Sequence, residues 1–358
     1  MSIVKALVLC AGRGTRLRPL THTRAKAALP VAGRPVLEHI VAYLRSHGFT
    51  DIGIVISPGQ GELKRLPTIL SGPPVAFILQ KNALGIAHAV KAAASFLGRE
   101  PFLLYLGDNL TDEWLPSMVD RFEAEEPDAL LAVRAVTNPK LFGVVELEGP
   151  RVVRVVEKPA EPRSNLAIAG IYLFRPTILD AITDLRPSPR GELEITDAIA
   201  GLMRAGRTVL AHPMTGWWQD MGTPEGLLSA NILLLDQIQS AIDPGVLLDS
   251  VRIEGRVAIG PGAVLENVRL RGPLCIGAGC HIWNSYIGPY TSVGEDSHIV
   301  HATLENSILL PHCRLDRPAF HLEDCLLGRG AVVENKSGRT ATLMMGDDGR
   351  LQMPPERR

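Results

Sequence analysis

Short apolar runs and amphipathic stretches alternate through the first half of the chain. Strand-like runs at 6–9, 52–56, 75–79, 102–106 and 130–135 are separated by helix-like periods at 36–47, 86–96 and 115–124. Strands buried on both faces read as continuous apolar runs, so this alternation predicts a parallel, doubly wound sheet covered by helices on both sides. Ligand sites in such a sheet lie at the carboxyl ends of strands, where loops enter helices. Residues 142–148 and 151–157 read as a hairpin, and 169–174 as a further buried strand.

A helical pattern from 224 to about 241 leads into a segment of another kind. Between 251 and 333, short apolar clusters such as AIGPGAV, CIGAGCHI, YIGPYTSV and CLLGRGAV recur every five to seven residues with turn residues between them. That sustained short period is the signature of a left-handed parallel β-helix, in which each strand forms one side of a triangular coil. The stretch 304–320 interrupts the regularity. Apolar residues on either side of Gly346, Asp347, Asp348 and Gly349 predict a terminal hairpin covering the open end of the coil.

Composition narrows the class. With 358 residues, 46% hydrophobic and 21% charged, the chain has the balance of a folded globular protein of about two domains, which excludes disorder and collagen-like structure. Lys and Arg total 37 against 38 for Asp and Glu. A net charge of -1 provides no footprint for nucleic acid or an anionic membrane, so any anionic ligand must be met by local groups. The apolar stretches are far shorter than a membrane span, and the expectation is a cytoplasmic protein. Cys10, Cys275, Cys280, Cys313 and Cys325 are odd in number and contain no CxxC pair, which predicts reduced thiols. The four in the coils read as small inward-pointing core residues.

The sharpest chemical feature follows the first strand: Cys10, Ala11, Gly12, Arg13, Gly14, Thr15, Arg16, Leu17, Arg18 and Pro19. Its glycines allow a tight turn whose backbone N–H groups approach a phosphate, and Arg16 adds a charged donor fork. No GxxxxGK[ST] loop occurs, and Leu17 stands where a dinucleotide fingerprint wants its third glycine. The continuation runs Lys26, Ala27, Ala28, Leu29, Pro30, Val31, then Gly33, Arg34 and Pro35.

These residues resemble the nucleoside-diphosphate-sugar pyrophosphorylases, whose pattern is GxGTRLxP followed by KxLLPVxxKP. Further family motifs appear in order: Gln80 with Leu84, Gly85, Ile86 and Ala87; Leu106 to Asn109; Phe142, Gly143 and Val144; Glu157, Lys158 and Pro159; Gly191 to Asp197; and Trp218 to Thr223. The β-helix and tail resemble the long-form glucose-1-phosphate thymidylyltransferases. The implied architecture is α/β: a doubly wound mixed sheet of Rossmann-like nucleotidyltransferase type over 1–235, a helical linker over 236–250, a short left-handed β-helix of hexapeptide-like repeats over 251–335, and a hairpin or tail over 336–358.

The resemblance implies attack by a sugar 1-phosphate oxygen on the α-phosphorus of a nucleoside triphosphate, giving dTDP-glucose and pyrophosphate from dTTP and glucose 1-phosphate. Two anions must be brought together, and no nucleophilic side chain is needed. Asp108, at the end of an apolar strand, and Asp220, at the end of another candidate strand, would hold Mg²⁺. Arg16 and Lys26 would neutralise the triphosphate, aided by the backbone of Leu9, Ala11, Gly12, Gly14 and Thr15. Lys158 would hold the sugar phosphate, and Glu157 would accept hydrogen bonds from sugar hydroxyls. Gln80 and the Gly85 backbone would read the base; Gly143, Gly170 and Tyr172 would line the sugar pocket.

Two positions depart from the family pattern. His88 stands where short-form sugar thymidylyltransferases usually carry Gln, and reads as a helix-surface residue near the base. Met221 replaces the usual Thr. The nucleotide stays open: dTTP is the first choice, and UDP-glucose or another nucleotide sugar is the alternative, because thymine and uracil differ by one methyl group. A different class is an acyltransferase in the β-helix, with His281, His298, His301 and His312 as possible bases. A silent regulatory subunit would lack the charged site residues, and Arg16, Lys26, Asp108, Lys158 and Asp220 are all present. The exposed sides and open end of a β-helix predict a homo-oligomer.

Overall fold

The computed structural model describes residues 5–66, 69, 72–317, 321–334 and 344–352. The chain forms two compact units, residues 1–13 with 37–218 and residues 14–36 with 219–358. The boundary departs from the expected division at residue 235, because the segment that follows the first strand packs with the C-terminal unit.

The first unit is built on a nine-stranded mixed sheet. Its strands are β1 (Lys5–Leu9), β2 (Asp51–Ile56), β3 (Ala76–Leu79), β4 (Phe102–Leu106), β5 (Ala129–Ala135), β6 (Gly143–Glu148), β7 (Arg151–Glu157), β8 (Leu166–Phe174) and β9 (Val209–Pro213), in the spatial order β3-β2-β1-β4-β8-β5-β9-β7-β6. β1 pairs in parallel with β2 and β4, placing Leu7 between Gly53 and Leu104. β8 runs antiparallel between β4 and β5, which makes the sheet mixed. Leu7, Leu104, Leu131 and Phe174 are fully buried, as two-sided coverage by helices requires. Gly53 is dictated by packing, since a Cβ there would lie 2.6 Å from the Phe96 ring. The helix expected over 86–96 is two pieces, Ile86–Ala92 and Ala94–Leu97.

The second unit joins residues 14–36 to the helix Pro224–Leu235 and to a three-sided parallel β-helix of left-handed type. Thr223 caps that helix by accepting from the Gly226 N–H at 3.1 Å, and Pro224 occupies its first turn. The helix stops at Leu235, short of the expected 241. Residues 241–249 are therefore no helical linker; strands Ala241–Ile242 and Leu247–Asp249 belong to the first coil. Successive coils stack in register, so that Leu248, Leu265, Ile282, Ile299, Leu315 and Val333 form one inward column. Cys280, Cys313 and Cys325 are fully buried among these columns, whereas Cys275, expected to point inward, alternates with the core positions Leu274 and Ile276, faces away from the column and donates to Ser292 Oγ at 3.3 Å.

The stretch 304–320 keeps the coil register through Thr303–Glu305, Ile308–Leu309 and Arg314–Asp316; 318–320 lie outside the described residues. No terminal hairpin forms over 344–352. Met344–Met345 and Arg350–Gln352 add in parallel to Leu326–Leu327 and Val332–Glu334, as one more coil. Gly262, Gly279, Asp296, His312, Gly330 and Asp348 all take positive φ, so the acidic turn is the last of a column of left-handed corners. The rest of the expected tail, 335–343 and 353–358, lies outside the described residues.

Asn231 ties this unit together. Fully buried, it accepts from the Ala32 N–H at 2.8 Å and from the Ser292 hydroxyl at 2.6 Å, and donates to the Tyr290 carbonyl at 2.7 Å. Truncation to Ala leaves two donors and one acceptor without this partner, and each costs roughly 1–3 kcal/mol when buried. Asn231→Ala is expected to destabilise the unit by about 3 kcal/mol or more in urea unfolding, and a loss under about 1 kcal/mol would contradict that accounting.

Candidate functional site

The sheet delivers its loops to one edge. β1, β2, β3 and β4 are parallel, so the segments starting at Cys10, Gln80 and Gly107 leave the same carboxyl edge. β6 reaches that edge too, because Ala167 pairs with both Arg134 near the end of β5 and Val144 beside Gly143. Glu157 pairs with Gly143 across the hairpin. This is where an open α/β sheet places ligand sites.

In the first unit, the loop after β1 is pinned beneath its backbone. Cys10 N–H donates to Val55 O at 2.8 Å, Gln60 donates to Cys10 O at 3.2 Å, and Ser57 donates to Ala11 O at 2.8 Å. A Cβ added at Gly12 would meet nothing within 4 Å, so this backbone is open to close approach. Gly107 crosses the end of β1 so tightly that a Cβ would sit 2.6 Å from Cys10 Sγ. Only glycine fits there, and it fixes the Asp108 turn against β1.

Asp108 accepts from Asn109 Nδ2 at 3.0 Å, and Asn109 Oδ1 accepts from Trp218 Nε1 at 2.9 Å. Gly170, with φ of 74°, opens a kink in β8 that makes room for this amide; a Cβ would lie 2.6 Å from Asn109 Nδ2. Gly170 thus positions Asn109, and Asn109 orients the carboxylate. Burial pushes the Cys10, Tyr105 and Tyr172 acids up, and the Asp108 carboxylate adds to each. These groups stay protonated beside Asp108. Tyr172 is 3% exposed and stacks on Phe174, so its ring belongs to the core.

Glu157 carries a dense set of partners. Its carboxylate lies 3.6 Å from Lys158 Nζ and 3.3 Å from Arg190 Nη1, and accepts from Thr196 Oγ1 at 3.4 Å. Gly143 must be small, because a Cβ would come within 3.2 Å of Glu157 Oε2. Lys158 adopts φ of 41°, and its N–H donates to Phe142 O at 3.0 Å. Arg190 also reaches Glu194 at 3.4 Å, and burial raises the Glu194 carboxyl above the usual range.

Gln80 is buried and donates to Gly85 O at 3.2 Å and to His88 Nδ1 at 2.9 Å. An accepting Nδ1 places the imidazole proton of His88 on Nε2. The expected surface role of His88 is corrected: it is half-buried and orients Gln80. Gly85 has φ of 101° and abuts the Leu193 backbone, where a Cβ would sit 2.5 Å from the carbonyl.

In the second unit, Gly14 with φ of 60° precedes the short turn Thr15–Leu17, and Thr21 Oγ1 donates to its carbonyl at 2.7 Å. Lys26 Nζ lies 4.0 Å from Asp220 Oδ1, which accepts from the Gly222 N–H at 2.7 Å. The Arg16 guanidinium packs over Gly222, where a Cβ would be 2.6 Å from Nη2 and 3.0 Å from Asp220 Oδ1. Three residues singled out in the sequence, Arg16, Lys26 and Asp220, thus share one cluster of two cations and one carboxylate.

Among the described residues no three His, Cys, Asp or Glu side chains converge as a metal cage. Asp108 and Asp220, with no cage of carboxylates around either among the described residues, suit a hard cation whose remaining ligands are phosphate oxygens and water, as Mg²⁺ prefers. Of the β-helix histidines, His281 stacks on His298 at 5.0 Å, while His301 and His312 occupy left-handed corners. Among the described residues no helix is long and apolar enough to cross a membrane.

Sequence reasoning singled out Asp108, Glu157 and Gln80 but assigned nothing to Asn109, Trp218, Arg190 or Thr196. Asn109, Thr196 and Trp218 stand inside the family motifs, and that position was the available signal.

Comparison with known proteins identifies the family. The family model described as nucleotidyl transferase matches residues 5–237. The chain is 43% identical to the low-salt glycan biosynthesis nucleotidyltransferase Agl11 of Haloferax volcanii, over 98% of this chain and 100% of that protein. It is 40% identical to a glucose-1-phosphate thymidylyltransferase of Streptomyces griseus, over 98% of this chain and 99% of that one. A crystal structure of a putative glucose-1-phosphate thymidylyltransferase from Bacillus anthracis, in complex with sucrose, superposes with a TM-score of 0.60 at 32% identity, covering 66% of this chain and 97% of the other. A UDP-glucose pyrophosphorylase complexed with UDP-glucose gives a TM-score of 0.61 at 25% identity, covering 66% and 100%.

Proposed function

Because the chain belongs to the nucleotidyl transferase family, we propose that it transfers a thymidylyl group from dTTP to glucose 1-phosphate, releasing pyrophosphate and dTDP-glucose. The observation that carries this reading is the match at 40% identity over 98% of the chain, β-helix included, to a protein named for that activity. A phosphate oxygen of the sugar phosphate attacks the α-phosphorus in line with the departing pyrophosphate.

The residues divide this work by charge. Arg16 and Lys26 hold the triphosphate, and Lys158 holds the sugar phosphate. Glu157, oriented by Arg190 and Thr196, accepts from sugar hydroxyls. Gln80, fixed by His88, reads the base together with the Gly85 backbone. Asp108 and Asp220 are the proposed Mg²⁺ ligands. When bound, the ion neutralises phosphate charge and so lowers the repulsion between the two anionic substrates.

A UDP-linked product is the second reading, favoured by the likeness to the UDP-glucose pyrophosphorylase structure complexed with UDP-glucose. Pyrophosphate release with Mg²⁺ and glucose 1-phosphate, offered dTTP, UTP, ATP, GTP or CTP separately, distinguishes them. The expected result is a kcat/KM highest with dTTP. Preference for UTP would establish the second reading, and turnover with no nucleotide would contradict both.

A further inference from the structure

Within the second unit, the last described coil of the β-helix reaches the segment that carries Arg16 and Lys26. The Gly346 backbone abuts Pro19, and a Cβ there would lie 2.8 Å from the proline Cβ. Next to it, Asp347 Oδ2 accepts from Thr23 Oγ1 and lies 3.7 Å from Arg24 Nε. Pro19 follows Arg16 by three residues, and Thr23 precedes Lys26 by three. The stretch that joins the two cations thus rests on the turn 346–347 at both of its ends.

The other carboxylate oxygen is anchored in the coil. Asp347 Oδ1 accepts from the Arg329 N–H at 2.9 Å, and the side chain is only 14% exposed. Corner geometry does not dictate this residue. Before the left-handed corners of the earlier coils stand Pro261, Ala278, Glu295, Pro311 and Arg329, so the position tolerates any side chain. What Asp347 adds is its bridge to the loop. Inside the stretch, Thr21 Oγ1 holds Gly14 O at 2.7 Å, while Leu20 and Leu29 line one apolar seam with Leu227, Ile308, Leu326 and Leu327.

We propose that Asp347 is a positioning residue that fixes the Arg16 and Lys26 cations, from the β-helix side, for the phosphates of the incoming nucleotide. The assignment rests on the reading of this loop as the triphosphate cradle. It gives the β-helix a part in nucleotide binding and leaves the sugar phosphate alone, because Glu157 and Lys158 belong to the first unit. A small displacement of a positioned cation is costly: misplacement by about 1 Å, caused far from the chemistry, can lower a rate about a hundredfold.

In Asp347→Ala, calorimetry should show inorganic tripolyphosphate binding weakened about tenfold, and kinetics a raised KM for dTTP and a lowered kcat, with the KM for glucose 1-phosphate within about twofold of the parent. The melting temperature should fall by no more than a few degrees. Thr23→Val, at an exposed position that leaves the coil intact, should act in the same direction. Added to Asp347→Ala it should cost little more, since both substitutions break one contact. Tripolyphosphate affinity unchanged in either variant, a KM rise shared by glucose 1-phosphate, or additive losses in the double variant would overturn the positioning role. A parent protein that binds no tripolyphosphate would overturn the role and the cradle together. Tripolyphosphate binding that weakens as expected in a parent that turns over no nucleotide would uphold the role and overturn the nucleotidyl-transfer reading instead.

Discussion

Asp108→Asn is expected to lower kcat about a thousandfold while shifting the melting temperature by no more than a few degrees. The substitution keeps the shape of the side chain but removes a full negative charge from the turn after β4. An amide is a poor ligand for a hard dication, and the several kcal/mol of charge stabilisation such an ion supplies corresponds to that rate factor. The fold has little reason to respond. Asp108 is held by Asn109 at the end of the sheet, and the core that supports the sheet includes Leu7, Leu104 and Phe174. Steady-state pyrophosphate release and thermal unfolding of the same preparation check both halves. A variant with kcat within about tenfold of the parent would remove Asp108 from the assigned role.

Arg16→Ala should cost about a hundredfold to a thousandfold in kcat, with a smaller change in KM for the nucleotide. The guanidinium lies over Gly222 beside Asp220, with Lys26 next to it, and in the proposed reaction its donors would address the charge that grows as pyrophosphate departs. Interactions that strengthen in the transition state appear in kcat, whereas uniform binding appears in KM. Arg16→Lys should recover little, since an ammonium lacks the planar fork. A loss confined to KM would make Arg16 a binding residue only.

Much of the sheet was legible because burial on both faces leaves an apolar run in the sequence. β4 lies at the predicted 102–106, whereas β1 begins one residue early. Lys5 is the reason. It is buried at the start of β1, donates to Phe96 O at 3.1 Å, and pairs with Asp51 and Glu100, none of which an apolar pattern can show. The β-helix was legible from its repeats, but its ends were not. At the first coil, Ile242 and Leu248 are core positions without a covering layer and stand among polar neighbours, so the segment read as a linker. At the last, the turn of Asp347 and Asp348 has hairpin chemistry, yet its left-handed corner continues the column of Gly330.

The charged site residues could be picked out by type and spacing, while their supports could not. Asn109 depends on a kink at Gly170, distant in sequence, and the missing Cβ leaves no polar mark. His88 looked like a surface residue because eight positions separate it from Gln80, and only the turn at Gly85 brings the two together.

The most direct test of sugar nucleotidyl transfer uses dTTP radiolabelled on its α-phosphorus, with Mg²⁺, in the presence and absence of glucose 1-phosphate. The account predicts that the label moves into a nucleotide sugar only when the sugar phosphate is present, with pyrophosphate formed in equal amount and no label on the protein. Pyrophosphate release without the sugar phosphate, or label retained on the polypeptide, would contradict direct displacement.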